Sequence, residues 1–432
     1  MQLESFVVNG LFGRYDHVIR FPLREEDSQE PSLVLLYGKN GIGKTTILRM
    51  IYGMCRLEFL PFREVPFSKA TLTFSEGSPI TVRREQTGSS STTEWFLRVS
   101  YGRQRARLHP THSGPFSDKD KGAVESLRQS FLSKTDRVAI ELVDTTRIET
   151  LLREHARRRI QASRFYALPD EDVPIRIVAP DDRYRVRYTG ISEDRVQTLS
   201  ERIISFVSNA QLDYKKFFSI RDPDLFERII ERLSEPVRQD WKPENIINRM
   251  ETVKTIDAQS ESYGLGREFW DFARLKSILT RKGKTKLETP ERMVIVTYLE
   301  ALESRAWQRR LLIDRLRTFE VVANGFLKDK SVTVHGVRGL EIRLSDGSAL
   351  EEARLSSGEY HLLYLLVTAL TAQRRGTVIA IDEPEISMHL EWQRKLVDGL
   401  LRCASLAQPQ LLIATHSPDI TASHRSSCVI LK

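Results

Sequence analysis

Residues 33–45 read LVLLYGKNGIGKT: an apolar run, then glycines at 38, 41 and 43, then Lys44 and Thr45. An apolar helical run from Thr46 to Phe59 follows. A G-x-x-x-x-G-K-T sequence between a strand and a helix is the setting in which a backbone loop cradles phosphate. Gly38, Gly41 and Gly43 let the main chain close around an anion. The amides from Gly41 through Ile42, Gly43 and Lys44 to Thr45, at the positive end of the helix, face that anion. Lys39 and Asn40 complete the loop, and Thr46 belongs to the first helical turn. Lys44 is placed for the β and γ oxygens of a nucleotide, and the Thr45 hydroxyl for Mg2+. The stretch therefore predicts an α/β fold that binds ATP and Mg2+.

Around it, strand-like segments Leu3–Val8, Leu33–Tyr37, Ala70–Phe74 and Ile80–Arg83 alternate with turns. This suits the first lobe of an α/β ATPase with an added antiparallel sheet. Residues 86–93 (QTGSSSTT) read as a hairpin tip or loop, and Tyr101 to Asp120 as an exposed excursion poor in apolar residues. Residues 137–144 (RVAIELVD) make one more strand. From there the pattern turns helical, over 145–167, 193–209, 223–238 and 290–323, with Pro-rich and charged breaks between. Two strands, Ser331–Val334 and Glu341–Leu344, lead back to an α/β body with helices at 357–373 and 389–404 and strands Val378–Ile381 and Gln410–Ala414. The expected organisation is an N-terminal lobe over 1–144, a mostly helical insertion over 145–325 for partner or nucleic-acid binding and dimerisation, and a C-terminal lobe over 326–432.

Residues 378–385 read VIAIDEPE, a buried strand ending in carboxylates. Open α/β sheets place ligand groups at such strand ends. Asp382 is the candidate metal ligand with Thr45, and Glu383 the candidate base that orients or deprotonates an attacking water. Residues 410–418 (QLLIATHSP) form another buried strand, whose His416 could reach a γ-phosphate. The stretch RLSSGEYHLL, residues 354–363, has Ser356 followed three residues later by Glu359 ahead of an apolar run, a capping-box pattern. Gly358 and the free amides of the helix start also make it a natural anion site.

The chain carries a formal charge of +8, which permits contact with nucleic acid without demanding it. Its three cysteines, Cys55, Cys403 and Cys428, are widely spaced and fit neither a disulfide framework nor a zinc pattern. The N-terminus has no basic leader, and no apolar window reaches the length of a membrane span. The expectation is a cytoplasmic protein without a membrane partner. Arginines cluster at 157–159, at 183, 185 and 187 in the alternating RYRVRY, and at 309, 310, 315 and 317; Lys282, Lys284 and Lys286 add a basic run. RYRVRY reads either as a strand face suited to DNA or RNA phosphates or as a solvated edge strand that resists aggregation. Trp307 beside Arg309 reads as core and rim of a helix rather than a stacking platform. Sustained heptads are absent, so the insertion is not a long coiled coil.

In their order, GKNGIGKT, LSSGE, IAIDEPE and ATHS resemble the ATP-binding-cassette ATPases, in particular the soluble branch of chromosome-maintenance and break-repair ATPases, RecF and OLD-like proteins. GLFGRYDHVIRF and EPEISMHLEWQRKL resemble the ATPase subunits of bacterial anti-phage systems such as PtuA of Septu and retron-associated systems, or AriA of PARIS. The resemblance covers roughly residues 1–85 and 330–420 and implies an ABC-type P-loop ATPase head. It also implies a head-to-tail homodimer in which Ser356, Ser357, Gly358 and Glu359 form the signature, with Ser356 and Gly358 capping the γ-phosphate held by Lys44 and Thr45 of the opposite chain. Residues 387–390 would communicate across the interface, and Arg14 would border the nucleotide. The sequence departs from the family at Ser357, where glycine is usual. A second departure is Thr146 in ELVDTTRI, which stands where a metal-sensing glutamine is expected.

The chain ends sixteen residues after His416, too soon for a C-terminal TOPRIM nuclease, and His109 and His112 lack the companions of an HNH site. A separate effector, an HNH or TOPRIM nuclease or another toxin, is the expected partner in anti-phage defence. The alternatives are a DNA repair or chromosome-maintenance ATPase that clamps DNA, and a nucleotide-stabilised assembly scaffold.

Overall fold

The computed structural model describes residues 2–23, 32–87, 94–109, 118–132, 139–143, 150, 152–157, 198–221, 224–232, 242–266, 270–281, 288–372, 376–405 and 407–432. The chain divides into two compact units, Met1–Val196 with Ala353–Lys432, and Gln197–Glu352.

In the first unit, Leu3–Leu11 (β1), Tyr15–Arg20 (β2), Lys69–Phe74 (β4), Ile80–Thr87 (β5), Glu94–Tyr101 (β6) and Gln104–Leu108 (β7) form an antiparallel sheet of order β2-β1-β4-β5-β6-β7. A second sheet joins Ser32–Tyr37 (β3), Ile140–Val143 (β8), Val378–Asp382 (β12), Gln410–Thr415 (β13) and Cys428–Ile430 (β14) in the order β14-β3-β13-β12-β8, with every pairing parallel. The central strands β3, β12 and β13 are buried on both faces, which explains their unbroken apolar runs. The side chain of Gln410 on β13 ties the two sheets together. It accepts from the Leu3 amide at 2.7 Å and donates to the Leu3 carbonyl at 2.9 Å.

Helix Lys44–Arg56 buries Ile47, Leu48, Met50, Ile51 and Met54 in a core shared with Phe6, Leu72, Val82 and Leu412. Each such side chain contributes about 1.5–3 kcal/mol by leaving water. The helix ends at Arg56, three residues short of the Thr46–Phe59 span read from periodicity, and Leu57, with a left-handed φ of 56°, turns the chain. Helix Ser357–Thr371 is buried at every residue from Tyr360 to Leu370, so its apolar character runs all round rather than along one stripe.

Several expectations are corrected. The segment from Tyr101 to Asp120 is not an open excursion throughout: β7 buries Ala106 and Leu108, and helix Asp118–Leu132 begins within it. Only two inward residues mark that strand, so alternation was weak. The strands expected near 331 and 341 precede the return of the chain to the first unit at Ala353 but belong to the second unit. Lys330–His335 (β9), Gly339–Leu344 (β10) and Ala349–Leu350 (β11) form their own sheet within the second unit. There they follow helix Thr289–Phe326, whose Asn324 side chain bonds both the amide and the carbonyl of Val332. The second unit also holds helix Leu199–Arg221, helix Asp224–Arg232, helix Pro243–Ser262 and helix Phe272–Leu279. Helix Pro243–Ser262 packs Ile246, Met250 and Val253 against Met293, Val296 and Leu299. Among the described residues no helix is long and apolar enough to cross a membrane.

Candidate functional site

The loop at 38–45 takes the shape its glycines permit. Gly41 and Gly43 have φ of 82° and 101°, backbone that side chains rarely adopt. A Cβ on Gly43 would stand 2.7 Å from Leu11 Cδ2. Gly43 is the residue before the helix, and no side chain caps the first turn, which also contains no acidic residue. Its amides and the macrodipole are left to an external anion. Lys39, Asn40 and Gly41 are exposed, Gly38, Ile42, Thr45 and Thr46 are half-buried, and Gly43 and Lys44 are buried. Lys44 Nζ donates to the carbonyls of Gly38 at 2.8 Å and Lys39 at 3.2 Å, so its ammonium lies over the loop.

Strand order brings the other groups to the same sheet end. β13 lies between β3 and β12, with Thr415 opposite Tyr37 and Ala414 opposite Asp382. The loop after Tyr37, His416 after Thr415, and the Asp382–Glu383 pair therefore leave three neighbouring parallel strands at their C-terminal ends. Asp382 is fully buried. Glu383 extends the ladder by donating its amide to the Ala414 carbonyl at 2.8 Å, then turns with a φ of 51° that is unusual outside glycine. Among the described residues there is no cluster of three or more His, Cys, Asp or Glu that could hold a metal alone. A hydroxyl and a carboxylate, Thr45 and Asp382, with phosphate oxygens, make the hard-oxygen donor set suited to Mg2+. The glycine cradle and Lys44 fit a polyphosphate.

Glu385 was not singled out by the sequence. Its side chain is only 6% exposed, and its Oε1 accepts from Thr415 Oγ1 at 2.8 Å, the His416 amide at 2.9 Å and the Ser417 amide at 3.2 Å. His416 Nδ1 is 3.1 Å from Glu385 Oε1 but 3.9 Å from Glu383 Oε1. No sequence spacing announces this, because the donors lie some thirty residues along the chain.

The stretch at 354–363 forms the capping box its pattern predicts. Ser356 Oγ accepts from the Glu359 amide at 3.3 Å, and Glu359 Oε2 accepts from the Ser356 amide at 2.8 Å. Ser356 and Ser357 are exposed, but Gly358 is buried, and a Cβ there would overlap the Ser387 carbonyl oxygen. Packing within the chain thus accounts for glycine at this position. Two histidines also missed by the sequence buttress the region. His155 stacks on Tyr360 with ring centroids 4.2 Å apart and bonds the Leu355 carbonyl at 2.9 Å. His361 Nδ1 lies 2.8 Å from the Ile386 carbonyl.

Arg14 is exposed in the turn between β1 and β2, its guanidinium 5.4 Å from the Tyr15 ring centroid. Leu11 and Phe12 of that turn are the residues Gly43 approaches, so the turn flanks the loop. Buried His17 stacks on Tyr15 at 5.8 Å. Thr146, the RYRVRY stretch, His112, Arg158, Arg159 and the basic run at Lys282 to Lys286 lie outside the described residues.

Of the remaining arginines, Arg309 is buried against Asp257, and Arg315 lies over the Phe206 ring at 4.6 Å with burial pulling its pKa down to about 10. Trp307 is 57% exposed, so the core and rim places of the pair are the reverse of their usual polarity: the arginine is inside. A basic row appears instead on the outer face of the antiparallel sheet. Lys69 stands opposite Arg83, Arg83 opposite Arg98 and Arg98 opposite Arg107 across β4, β5, β6 and β7, with Arg105 paired to Ser100 beside them. Like charges directly opposite are destabilising.

A parallel sheet whose strand β3 ends in this loop, beside an added antiparallel sheet, makes the architecture an α/β P-loop ATPase fold. The chain matches, over residues 33–422, the family described as "AAA domain, putative AbiEii toxin, Type IV TA system", and it belongs to that family. No curated protein matches it. Among solved structures it is similar to the Smc head domain with an extended coiled coil bound to the C-terminal domain of ScpA from Pyrococcus furiosus. That match has 13% identity and a TM-score of 0.40, and covers 98% of this chain and 91% of that one. The SMC head domain from Thermotoga maritima matches at 13% identity and a TM-score of 0.34, covering 98% and 92%.

Proposed function

We propose that the chain is a Mg2+-dependent ATPase that works as a head-to-tail dimer, and that its ATP cycle senses a trigger and controls a separate effector, an HNH or TOPRIM nuclease or another toxin, in bacterial anti-phage defence. The observation that carries the ATPase reading is the convergence of loop 38–45, His416 and Asp382–Glu383 at one end of three neighbouring parallel strands. The loop amides and Lys44 hold the β- and γ-phosphates. Mg2+, when bound through Thr45 and Asp382, neutralises developing charge on the phosphates. Glu383 orients or deprotonates the attacking water, and His416 contacts the γ-phosphate. Ser356 and Ser357, exposed at a helix start, face the partner's nucleotide, while Gly358 sets how closely that helix start approaches the turn at 387. Arg14 borders the nucleotide. The family's description, a putative toxin of a type IV toxin–antitoxin system, supports a role in defence of the toxin–antitoxin kind.

Turnover and copurification test it. Lys44→Ala is expected to abolish ATP binding, and Glu383→Gln to retain ATP and stabilise the dimer while hydrolysis falls by roughly 10²- to 10⁴-fold. Unaltered hydrolysis by Glu383→Gln would overturn the assignment of the base. Purification from the native host is expected to yield a co-eluting nuclease or toxin, and a chain that purifies alone would count against effector control.

A second reading, an ATPase that clamps DNA, is favoured by the row Lys69, Arg83, Arg98 and Arg107. Three strand spacings carry it over about 14 Å, a length in which one strand of duplex presents about four phosphates. On this reading the Arg83→Gln, Arg107→Gln protein binds a labelled 40-base-pair duplex more weakly, with a salt slope lower by about two. Equal binding by the altered and unaltered proteins would remove the reading's support.

A further inference from the structure

The geometry assigns Glu385 as a positioning residue for His416, one that fixes which ring nitrogen His416 turns toward the nucleotide. This inference rests on the ATPase reading for its consequence, though not for its geometry. An imidazole at a strand end has two faces it could present and two tautomers, and the hydrogen bond made by one nitrogen decides what the other offers. Here the nearer carboxylate is Glu385 at 3.1 Å, while the candidate base Glu383 stands 3.9 Å off. Nδ1 is thus the ring nitrogen nearest a carboxylate, the place where a ring proton is best accommodated, and Nε2 is left as the atom that meets a ligand.

Glu385 is itself held too firmly to move with the ring. Its Oε1 accepts from the Thr415 hydroxyl and the amides of His416 and Ser417, so the oxygen that lies 3.1 Å from the histidine ring also holds the backbone that carries it. Ser417 is clamped in turn: its hydroxyl donates to Gln393 Oε1 at 2.7 Å, and Gln393 Nε2 donates to the Met388 carbonyl at 3.0 Å.

The second oxygen of Glu385 is buried without a hydrogen-bond partner, as is Nε2 of His361. An unsatisfied buried carboxylate oxygen costs stability, a cost set against the three donors that Oε1 gathers. The Glu385 charge acts on His361, and His361 sits on the helix that begins at Ser356 and bonds the Ile386 carbonyl next to Glu385. Glu385 therefore stands between the helix proposed to meet the partner's nucleotide and the histidine proposed to meet this chain's own. A shift of that helix would reach His416 through the turn at residues 385 to 388, closed by the Met388 amide donating to the Glu385 carbonyl at 3.0 Å, rather than through solvent.

The test uses the full-length protein and two readouts. Long-range 1H–15N correlation of the imidazoles, with the His416 signals assigned from their loss in His416→Asn, is expected to show the Nδ1–H tautomer in the unaltered chain. In Glu385→Gln and Glu385→Leu it is expected to show mainly Nε2–H. An unchanged His416 pattern in both variants overturns the inference, and this readout needs no ATP turnover. For the consequence, Glu385→Gln is expected to lower kcat at least about 10-fold with ATP affinity within about 3-fold. The double variant with His416→Asn should be no slower than His416→Asn alone. Independent, multiplying losses in the double variant would overturn the coupling. An unaltered chain that hydrolyses no ATP, while showing the expected tautomer change, would defeat the ATPase reading and leave the positioning role standing.

Discussion

Gly358 lies directly against the carbonyl oxygen of Ser387, so close that a single Cβ would overlap it. Ser387 itself has a left-handed φ of 62°. Both elements are backbone, so neither can yield by rotating a side chain. Gly358→Ala is expected to displace the helix start or the turn at a cost of about 1–3 kcal/mol. Ser387→Gly relaxes the left-handed turn and is expected to restore part of that loss. Thermal melting of the single and double variants checks both, and a melting temperature for Gly358→Ala equal to that of the unaltered protein would contradict the close approach.

Two buried histidines make stability fall in acid. Burial holds the pKa of His361 below its ordinary 6.5, against the opposing pull of the Ile386 carbonyl and the Glu385 charge. His17 is lowered in the same way, with the Ile42 backbone and Asp16 opposing. Above pH 6.5 each ring is neutral in the folded and unfolded chain alike, and no stability depends on it. As pH falls from 6.5 toward the folded value, the unfolded chain takes up protons that the folded one refuses, so stability declines by at most about 1.4 kcal/mol per pH unit for each ring. Urea midpoints at pH 7.5, 6.5 and 5.5 are expected to drop across the lower interval, and His361→Gln to lessen that drop. An equal acid slope in His361→Gln would show that the ring takes no part.

The cysteines differ in reactivity for the same reason of burial. Cys55 and Cys403 are buried in apolar surroundings that push their thiols up to about 12, which leaves almost no thiolate at neutral pH. Cys428, on β14, is only half-buried, and its thiol is raised less. A disulfide-exchange reagent at pH 8 is expected to label one thiol quickly in the folded protein and three in denaturant. Cys428→Ser should remove the fast one. Rapid labelling that survives this substitution would mean that the core around Cys55 or Cys403 opens.

The phosphate loop was legible because the chemistry fixes residue types at fixed spacing: glycine where φ is positive, lysine and a hydroxyl where they must reach. The capping box at Ser356 and Glu359 was legible because it is local. Glu385 was not, since a carboxylate that gathers donors from residues 415–417 looks in the sequence like any acidic residue after a strand. Helix Pro243–Ser262 was passed over although Ile246, Met250 and Val253 keep helical spacing, because its other inward residues include Asp257 and Ser260. The basic row on the antiparallel sheet was invisible for a related reason: its members come from four strands and become neighbours only through register.

That buried aspartate supports a further expectation. Asp257 Oδ1 lies 2.5 Å from Arg309 Nη2, its Oδ2 accepts from Trp270 Nε1 at 2.8 Å, and the two charged side chains are 8% and 9% exposed. Removing one partner of such a pair strands a charge in the core, at a cost of about 3–5 kcal/mol, whereas replacing both by apolar groups of similar size can be nearly neutral. Arg309→Met is therefore expected to destabilise the second unit by that amount. Arg309→Met with Asp257→Leu should recover much of the loss, less the bond that Trp270 gives up. Denaturation followed by the fluorescence of Trp270, with the other tryptophans replaced by phenylalanine, reads the unit directly. A double variant no more stable than Arg309→Met would mean that the charge pair is not what makes the single substitution costly.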